Sequence, residues 1–77
     1  MSPVVLYSRP RCPLCDKARQ ALEEARISFQ EVDISRDQAL EAEYGIFIPV
    51  VEVAGRVVFE AGMDPNALPD LIVGPDG

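Results

Sequence analysis

The spacing of apolar and polar residues changes along the chain and predicts short strands that alternate with helices. Residues 4–7 (Val-Val-Leu-Tyr) form an apolar, largely β-branched run between prolines, which is typical of a buried strand. From Pro13 onward the apolar side chains recur at helical spacing, at Leu14, Ala18, Ala21, Leu22 and Ala25. The pattern predicts an amphipathic helix that begins at Pro13, because proline is favoured at the first helical position.

A second strand and a second helix follow. Residues 29–34 (Phe-Gln-Glu-Val-Asp-Ile) alternate imperfectly and predict a strand. Ser35 with Gln38 three residues later matches the capping box, in which each side chain bonds the other residue's backbone N–H. The sequence therefore predicts a helix that begins at Ser35 and runs to about Tyr44, where Gly45 ends it.

The C-terminal half predicts a hairpin and one more helix. Residues 46–53 and 56–60 predict two strands joined by the turn Ala54-Gly55. Asp64-Pro65 predicts the start of a short helix, and residues 74–77 predict a frayed tail. The order β-α-β-α-β-β-α predicts an α/β fold in a single domain over residues 1–77, with parallel crossovers and an antiparallel hairpin in a mixed sheet covered by helices.

Charge narrows the choice of partners. The net charge is −6 and histidine is absent, which argues against nucleic acid or an anionic membrane as the main partner, because phosphate recognition needs clustered Lys and Arg. Arg9 and Arg11 form the one such cluster. The N-terminus lacks the pattern of a signal peptide and no apolar run reaches transmembrane length, so we expect a cytoplasmic protein.

The two cysteines of the chain, Cys12 and Cys15, are separated by Pro-Leu. They could be a redox dithiol, half of a metal site or two buried apolar neighbours. A reducing compartment disfavours a structural disulfide, and so short a loop would constrain the unfolded chain very little. A structural zinc site needs further ligands, whereas the chain has no histidine and no second cysteine pair. We therefore expect a redox dithiol and no metal held within one chain.

The predicted helix gives the two cysteines different roles. Cys12 falls at or beside the N-cap, where unpaired N–H groups and the helix dipole stabilise an anion. Together with Arg9 and Arg11, this should lower the pKa of Cys12 below the usual value of about 8.5, against the opposing charge of Asp16. Cys15 lies toward the buried side of the helix. We expect Cys12 to attack a substrate disulfide and Cys15 to resolve the mixed disulfide.

A second feature is Ile48-Pro49-Val50, where a proline opens an apolar strand. The proline could simply mark the first residue of the strand. It could instead form a cis bond that exposes main-chain groups of Ile48 or Pro49 beside the dithiol, available to an extended peptide or to glutathione.

The segments LYSRPRCPLCDKA and YGIFIPVVEVAG, with the order of elements, resemble a small glutaredoxin of the thioredoxin-fold superfamily. The resemblance covers nearly the whole chain. It implies a four-stranded mixed sheet with helices on both faces, a cis-proline facing the dithiol, and reduction of disulfides or of glutathione mixed disulfides. By position it implies that Cys12 is the nucleophile, Cys15 the resolving thiol, Pro49 the cis-proline and Ile48 the residue whose backbone pairs with a bound thiol.

The resemblance also implies a glutathione site. Arg9 stands where the family usually has a lysine for the glycine carboxylate of glutathione, and Arg11 and Pro13 flank the nucleophile. Gly62 and Asp64 fall where the family usually shows Gly-Gly-x-Asp-Asp for the γ-glutamyl end, but the stretch here reads Ala-Gly-Met-Asp-Pro. Asp64 is equally predicted as a helix N-cap.

These residues predict a dithiol–disulfide oxidoreductase that acts as a monomer on disulfide-containing or glutathionylated proteins. No bound cofactor is expected, and the electron donor is glutathione as co-substrate or a reductase. Two alternatives use the same cysteines: a dimeric module that binds an iron–sulfur cluster or zinc, and a redox-sensing docking domain without turnover.

Overall fold

The computed structural model describes residues 3–73 and contains one four-stranded sheet flanked by three α-helices. The strands are β1 (Val4–Ser8), β2 (Gln30–Asp33), β3 (Val50–Val53) and β4 (Arg56–Phe59). The helices are α1 (Pro13–Glu24), α2 (Gln38–Tyr44) and α3 (Leu68–Val73), and 3₁₀ turns cover Ile34–Arg36 and Pro65–Ala67. The predicted tail at residues 74–77 lies outside the described residues.

The sheet is mixed, with strand order β2-β1-β3-β4. β1 pairs in parallel with β2, and α1 provides the crossover that a parallel pair requires. β3 is antiparallel to both β1 and β4. The β3–β4 turn has positive φ at Ala54 (53°) and Gly55 (81°), as two-residue hairpin turns often do. The expected α/β fold is confirmed.

Helices cover both faces of this sheet. Successive strand side chains point to opposite faces, so each face has apolar side chains to bury. On one face, side chains of β1, β3 and β4 form a buried cluster with α1 and α3: Val4, Leu6, Ala18, Leu22, Val51, Phe59 and Leu68. Val50 of β3 points to the other face and belongs to a second cluster with Cys15, Ile34 and Ile48, against which Tyr7, Cys12, Leu40 and Tyr44 pack. We call this second group the cysteine cluster.

The predicted start of the second helix at Ser35 is wrong. Ser35 lies in the 3₁₀ turn, where its backbone N–H and its hydroxyl both donate to Asp33 Oδ1, at 2.9 and 2.6 Å. Helix α2 is capped instead by Asp37, whose Oδ1 accepts from Ala39 N (2.9 Å) and Leu40 N (3.3 Å). Two aspartates flank the serine, and each serves as a cap in its place.

The predicted third strand, residues 46–53, is also shorter than expected. It begins at Val50, because Pro49 has no N–H to donate to a ladder. Ile46 and Phe47 lie outside the sheet and are 86% and 44% exposed. A hydrogen bond from Ala61 N to the Phe47 carbonyl (2.9 Å) still ties this segment to the chain after β4.

Replacing Asp37 should test the corrected helix start. The variant Asp37→Ala should lose about 1 kcal/mol of unfolding free energy, because two backbone N–H groups at the start of α2 lose their acceptor. The measurement is the urea midpoint. Ser35→Ala is the matched control, and a larger loss for Ser35→Ala than for Asp37→Ala would contradict the assignment.

Candidate dithiol site

Cys12 and Cys15 lie at the start of α1 and differ sharply in exposure. Cys12 is the N-cap residue, with extended backbone (φ −115°, ψ 100°), and is half-buried, whereas Cys15 in the first turn is fully buried. The structure joins them in a disulfide, with the Cα atoms 5.2 Å apart. The backbone N–H of Cys15 points at the Sγ of Cys12, at 3.2 Å. The predicted helix start and the inward direction of Cys15 are confirmed.

The Ile48–Pro49 peptide bond is cis, which is the second of the two interpretations of the sequence. Both residues are buried, and Ile48 belongs to the cysteine cluster together with Cys15. The start of β3 and the start of α1 are therefore neighbours, as the resemblance implied.

The two arginines near Cys12 have different surroundings. Arg9 directs Nη2 at Glu41 of α2, in an ion pair, and at the Gly45 carbonyl oxygen (3.4 Å). The charge of Arg9 is thus paired with a carboxylate of α2. Arg11 has φ +62°, is exposed, and makes no ion pair or side-chain hydrogen bond with residues 3–73. Pro13, at the first helical position, is exposed.

The residues after β4 divide between two places. Gly62, with φ +97°, and Met63 line a shallow depression together with Leu14 of the dithiol segment and Pro49. Asp64 instead caps the 3₁₀ turn, accepting from Asn66 N at 2.9 Å, and lines a groove beside Lys17 of α1. Gly62 thus lies beside Leu14 and Pro49, whereas the Asp64 carboxylate is engaged in the local cap.

Asp16, in the first turn of α1, belongs to an ion-pair network that the sequence did not predict. Arg19 donates to Asp16 Oδ1 (2.7 Å) and, with two nitrogens, to both carboxylate oxygens of Glu31 (2.8 and 2.6 Å). The buried Ser8 hydroxyl donates to the same Glu31 (2.7 Å). The i,i+3 spacing of Asp16 and Arg19 was a detectable signal. No local signal pointed to Glu31 on β2.

Two tyrosines that pack on the cysteine cluster share one carboxylate, which the sequence did not predict. The rings of Tyr7 and Tyr44 stack with centroids 4.3 Å apart, and both hydroxyls donate to Glu52, at 3.2 and 2.6 Å. The hydrogen bond to Glu52 raises the pKa of Tyr44, and burial is the main cause that raises the pKa of Tyr7. Both phenols therefore remain protonated donors at neutral pH.

A strand order of β2-β1-β3-β4, with a Cys-x-x-Cys pair at the N-terminus of α1 and a cis-proline before β3, defines a dithiol protein of the thioredoxin-fold class. Residues 3–70 match the family model described as the Glutaredoxin-like domain. The chain belongs to this family, and its cysteine pair has a thiol–disulfide redox role.

Individual relatives agree with this assignment. An uncharacterized glutaredoxin-like 8.6 kDa protein in the rubredoxin operon of Clostridium pasteurianum is 27% identical over 62 residues, which are 71% of this chain and 80% of that protein. A glutaredoxin of Pseudomonas aeruginosa is 40% identical over 43 residues, 56% of this chain and 51% of that protein.

Two solved structures share the fold. The X-ray structure of structural genomics target protein XcR50 from X. campestris has a TM-score of 0.72 and 39% identity, and the match covers 87% of this chain and 95% of that one. A variant of the thioredoxin-like protein BC3987 has a TM-score of 0.68 and 26% identity, with 88% and 96% covered.

Two features are absent from residues 3–73. No helix in this range has the length and apolar character needed to cross a membrane. No group of three or more His, Cys, Asp or Glu side chains in this range is placed to hold a metal ion.

The Arg19 network predicts a specific acid dependence. The hydrogen bonds from Arg19 are the main cause that holds the pKa of Glu31 below its usual 4.5. A lowered folded-state pKa contributes stability that is present above pH 4.5 and is lost as the pH falls through the lower folded-state value. In Arg19→Met the fall in urea midpoint between about pH 6 and about pH 3 should be smaller than in the unmodified protein.

Arg36→Met is the control for this experiment. Arg36 is 87% exposed in its side chain and lies 3.8 Å from Asp33, whose lowered pKa is due chiefly to Ser35. Its removal should change the acid dependence little. An equal change in both variants would contradict the assignment of the effect to Glu31.

Proposed function

We propose that the protein is a dithiol–disulfide oxidoreductase that reduces protein disulfides or glutathione mixed disulfides through Cys12 and Cys15. The observation that carries the proposal is the unequal exposure of the two cysteines, with Cys12 half-buried at the helix N-cap and Cys15 fully buried. Attack on an external disulfide needs an accessible thiolate, and resolution needs a second thiol that is shielded from the substrate but close to the first.

The reaction transfers two electrons in two exchanges. The Cys12 thiolate attacks one sulfur of a substrate R–S–S–R′, so that a Cys12–S–S–R bond forms and R′–S⁻ leaves and takes up a proton. Cys15, as the thiolate, then attacks the Cys12 sulfur, releases R–S⁻ and closes the internal disulfide. Two thiols of glutathione, or one dithiol of a reductase, return the two electrons and restore the reduced protein.

The surroundings of Cys12 support its role as the nucleophile. The N–H of Cys15 at 3.2 Å and the other unpaired N–H groups of the first turn stabilise negative charge on the sulfur. The exposed Arg11 precedes Cys12 directly. Asp16, which would oppose the thiolate, is paired with Arg19.

The surface beside the dithiol supports a substrate with some apolar character. Leu14 is 51% exposed and Met63 is 41% exposed, and both line the depression with Pro49. An extended chain that brings a disulfide sulfur to Cys12 could bury part of these side chains.

The electron donor is tested by a paired assay. The purified protein is given a protein disulfide and a glutathionylated substrate, once with glutathione and glutathione reductase and once with a thioredoxin reductase system. Turnover in either system supports the proposal and identifies the donor. The absence of turnover in both systems would contradict it and would favour a docking or cluster-binding role.

Single cysteine replacements test the assigned roles. Cys12→Ser should reduce turnover to the uncatalysed rate, because the attacking sulfur is lost. Cys15→Ser should accumulate a mixed disulfide on Cys12, detected by intact-protein mass spectrometry, and should keep partial activity toward glutathionylated substrates. Equal loss in both variants, with no mixed disulfide in Cys15→Ser, would contradict the asymmetry.

A further inference from the structure

Arg9 is held by α2 through a compact set of contacts. Its Nη2 forms an ion pair with the Glu41 carboxylate and also faces the Gly45 carbonyl oxygen at 3.4 Å. The Nε atom is inaccessible to solvent and has no hydrogen-bond partner among residues 3–73. We call this group of three residues the Arg9 clasp.

Glycine fits at position 45 because atoms of Glu41 and Arg9 lie too close for a side chain there. Gly45 ends α2 with ordinary right-handed dihedrals (φ −51°, ψ −41°), so its backbone does not need the freedom of glycine. A Cβ at this position would lie 2.5 Å from the Glu41 carbonyl oxygen, 3.0 Å from Glu41 Oε1 and 3.3 Å from Arg9 Nη2. A larger residue would therefore push against both members of the ion pair.

Helix α2, which carries Glu41 and leads into Gly45, packs on the cysteine cluster through other side chains. Leu40 and Tyr44, the neighbours of Glu41 and Gly45 in α2, pack on the cysteine cluster. The ion pair is nevertheless accessible, because the side chains of Arg9 and Glu41 are 38% and 36% exposed. A negatively charged group on a substrate that approaches Cys12 from this side meets a cation that is already paired with Glu41.

We infer that Glu41 is a specificity-determining residue, which discriminates against substrates with a carboxylate near the disulfide by compensating the charge of Arg9. This inference rests on the proposed oxidoreductase function. Glu41 makes the site favour neutral or apolar disulfides over anionic ones, which matches the exposed Leu14 and Met63 beside Pro49. Arg11 remains the uncompensated cation next to Cys12.

The test compares two disulfides that differ only in charge, dithiodipropionate and its diamide. Reduced protein is mixed with an excess of each, the reaction is quenched with acid, and internal disulfide formation is counted by mass spectrometry, so that no reductase is needed. In Glu41→Gln the ratio of the anionic to the neutral rate constant should rise about two- to fivefold over the unmodified protein, the size typical of one partly exposed ion pair. Glutamine keeps the size and hydrogen-bonding capacity of the side chain and removes its charge.

Glu43→Gln is the matched control. Glu43 lies on the same helix, is exposed, and forms no ion pair with residues 3–73, so its replacement makes the same change in net charge without touching Arg9. The ratio should stay close to that of the unmodified protein. The double variant Arg9→Met with Glu41→Gln should lose the gain seen in Glu41→Gln alone.

The outcomes separate this inference from the proposed function. An equal ratio in Glu41→Gln and Glu43→Gln, or a gain that persists without Arg9, would overturn the specificity role and leave the oxidoreductase proposal standing. Failure of the unmodified reduced protein to react with either disulfide would overturn both.

Discussion

The docking of α1 against the sheet is the constraint on which the dithiol depends. Ala18 and Leu22 bury one side of this helix among strand side chains, and this fixes where its first turn lies. The first turn leaves N–H groups without partners inside the helix, and the Cys12 sulfur accepts one of them as its N-cap. The same contact caps the helix and prepares the sulfur to carry negative charge.

The sheet makes the second sulfur inaccessible. Cys15 is fully buried because it packs with Ile34, Ile48 and Val50 in a cluster separate from the main cluster of β1, α1 and α3. The stacked Tyr7 and Tyr44 pack against this group and both bond Glu52. Core packing therefore limits access to Cys15, whereas the N-terminus of α1 favours negative charge on the sulfur of Cys12.

The sequence predicted elements whose signals are local. Pro13 marked the start of α1 and the Ala54-Gly55 pair marked the hairpin, because both depend on backbone preferences of one or two residues. The helix start predicted at Ser35 was wrong because Asp33 and Asp37 also can act as caps. The sequence pattern does not rank three neighbouring cap candidates.

Other features could not be predicted because they depend on tertiary placement. The apolar run at Ile46 and Phe47 looked like strand sequence, but it lies outside the ladder and exposes its side chains. The sequence singles out Arg9 as a cation, but its ion pair with Glu41 joins residues 32 positions apart on different elements. The cysteine pair is visible as a motif in the sequence, whereas the ion pairs of the nearby charged residues depend on the fold.

The most direct test of this account is the alkylation rate of each cysteine in the reduced protein at neutral pH. A limiting amount of iodoacetamide is added, and modified Cys12 and Cys15 are quantified separately by peptide mass spectrometry. The account predicts that Cys12 reacts at least about tenfold faster than Cys15, because thiolate character and access both favour it. Equal rates, or faster modification of Cys15, would contradict the assignment of Cys12 as the nucleophile.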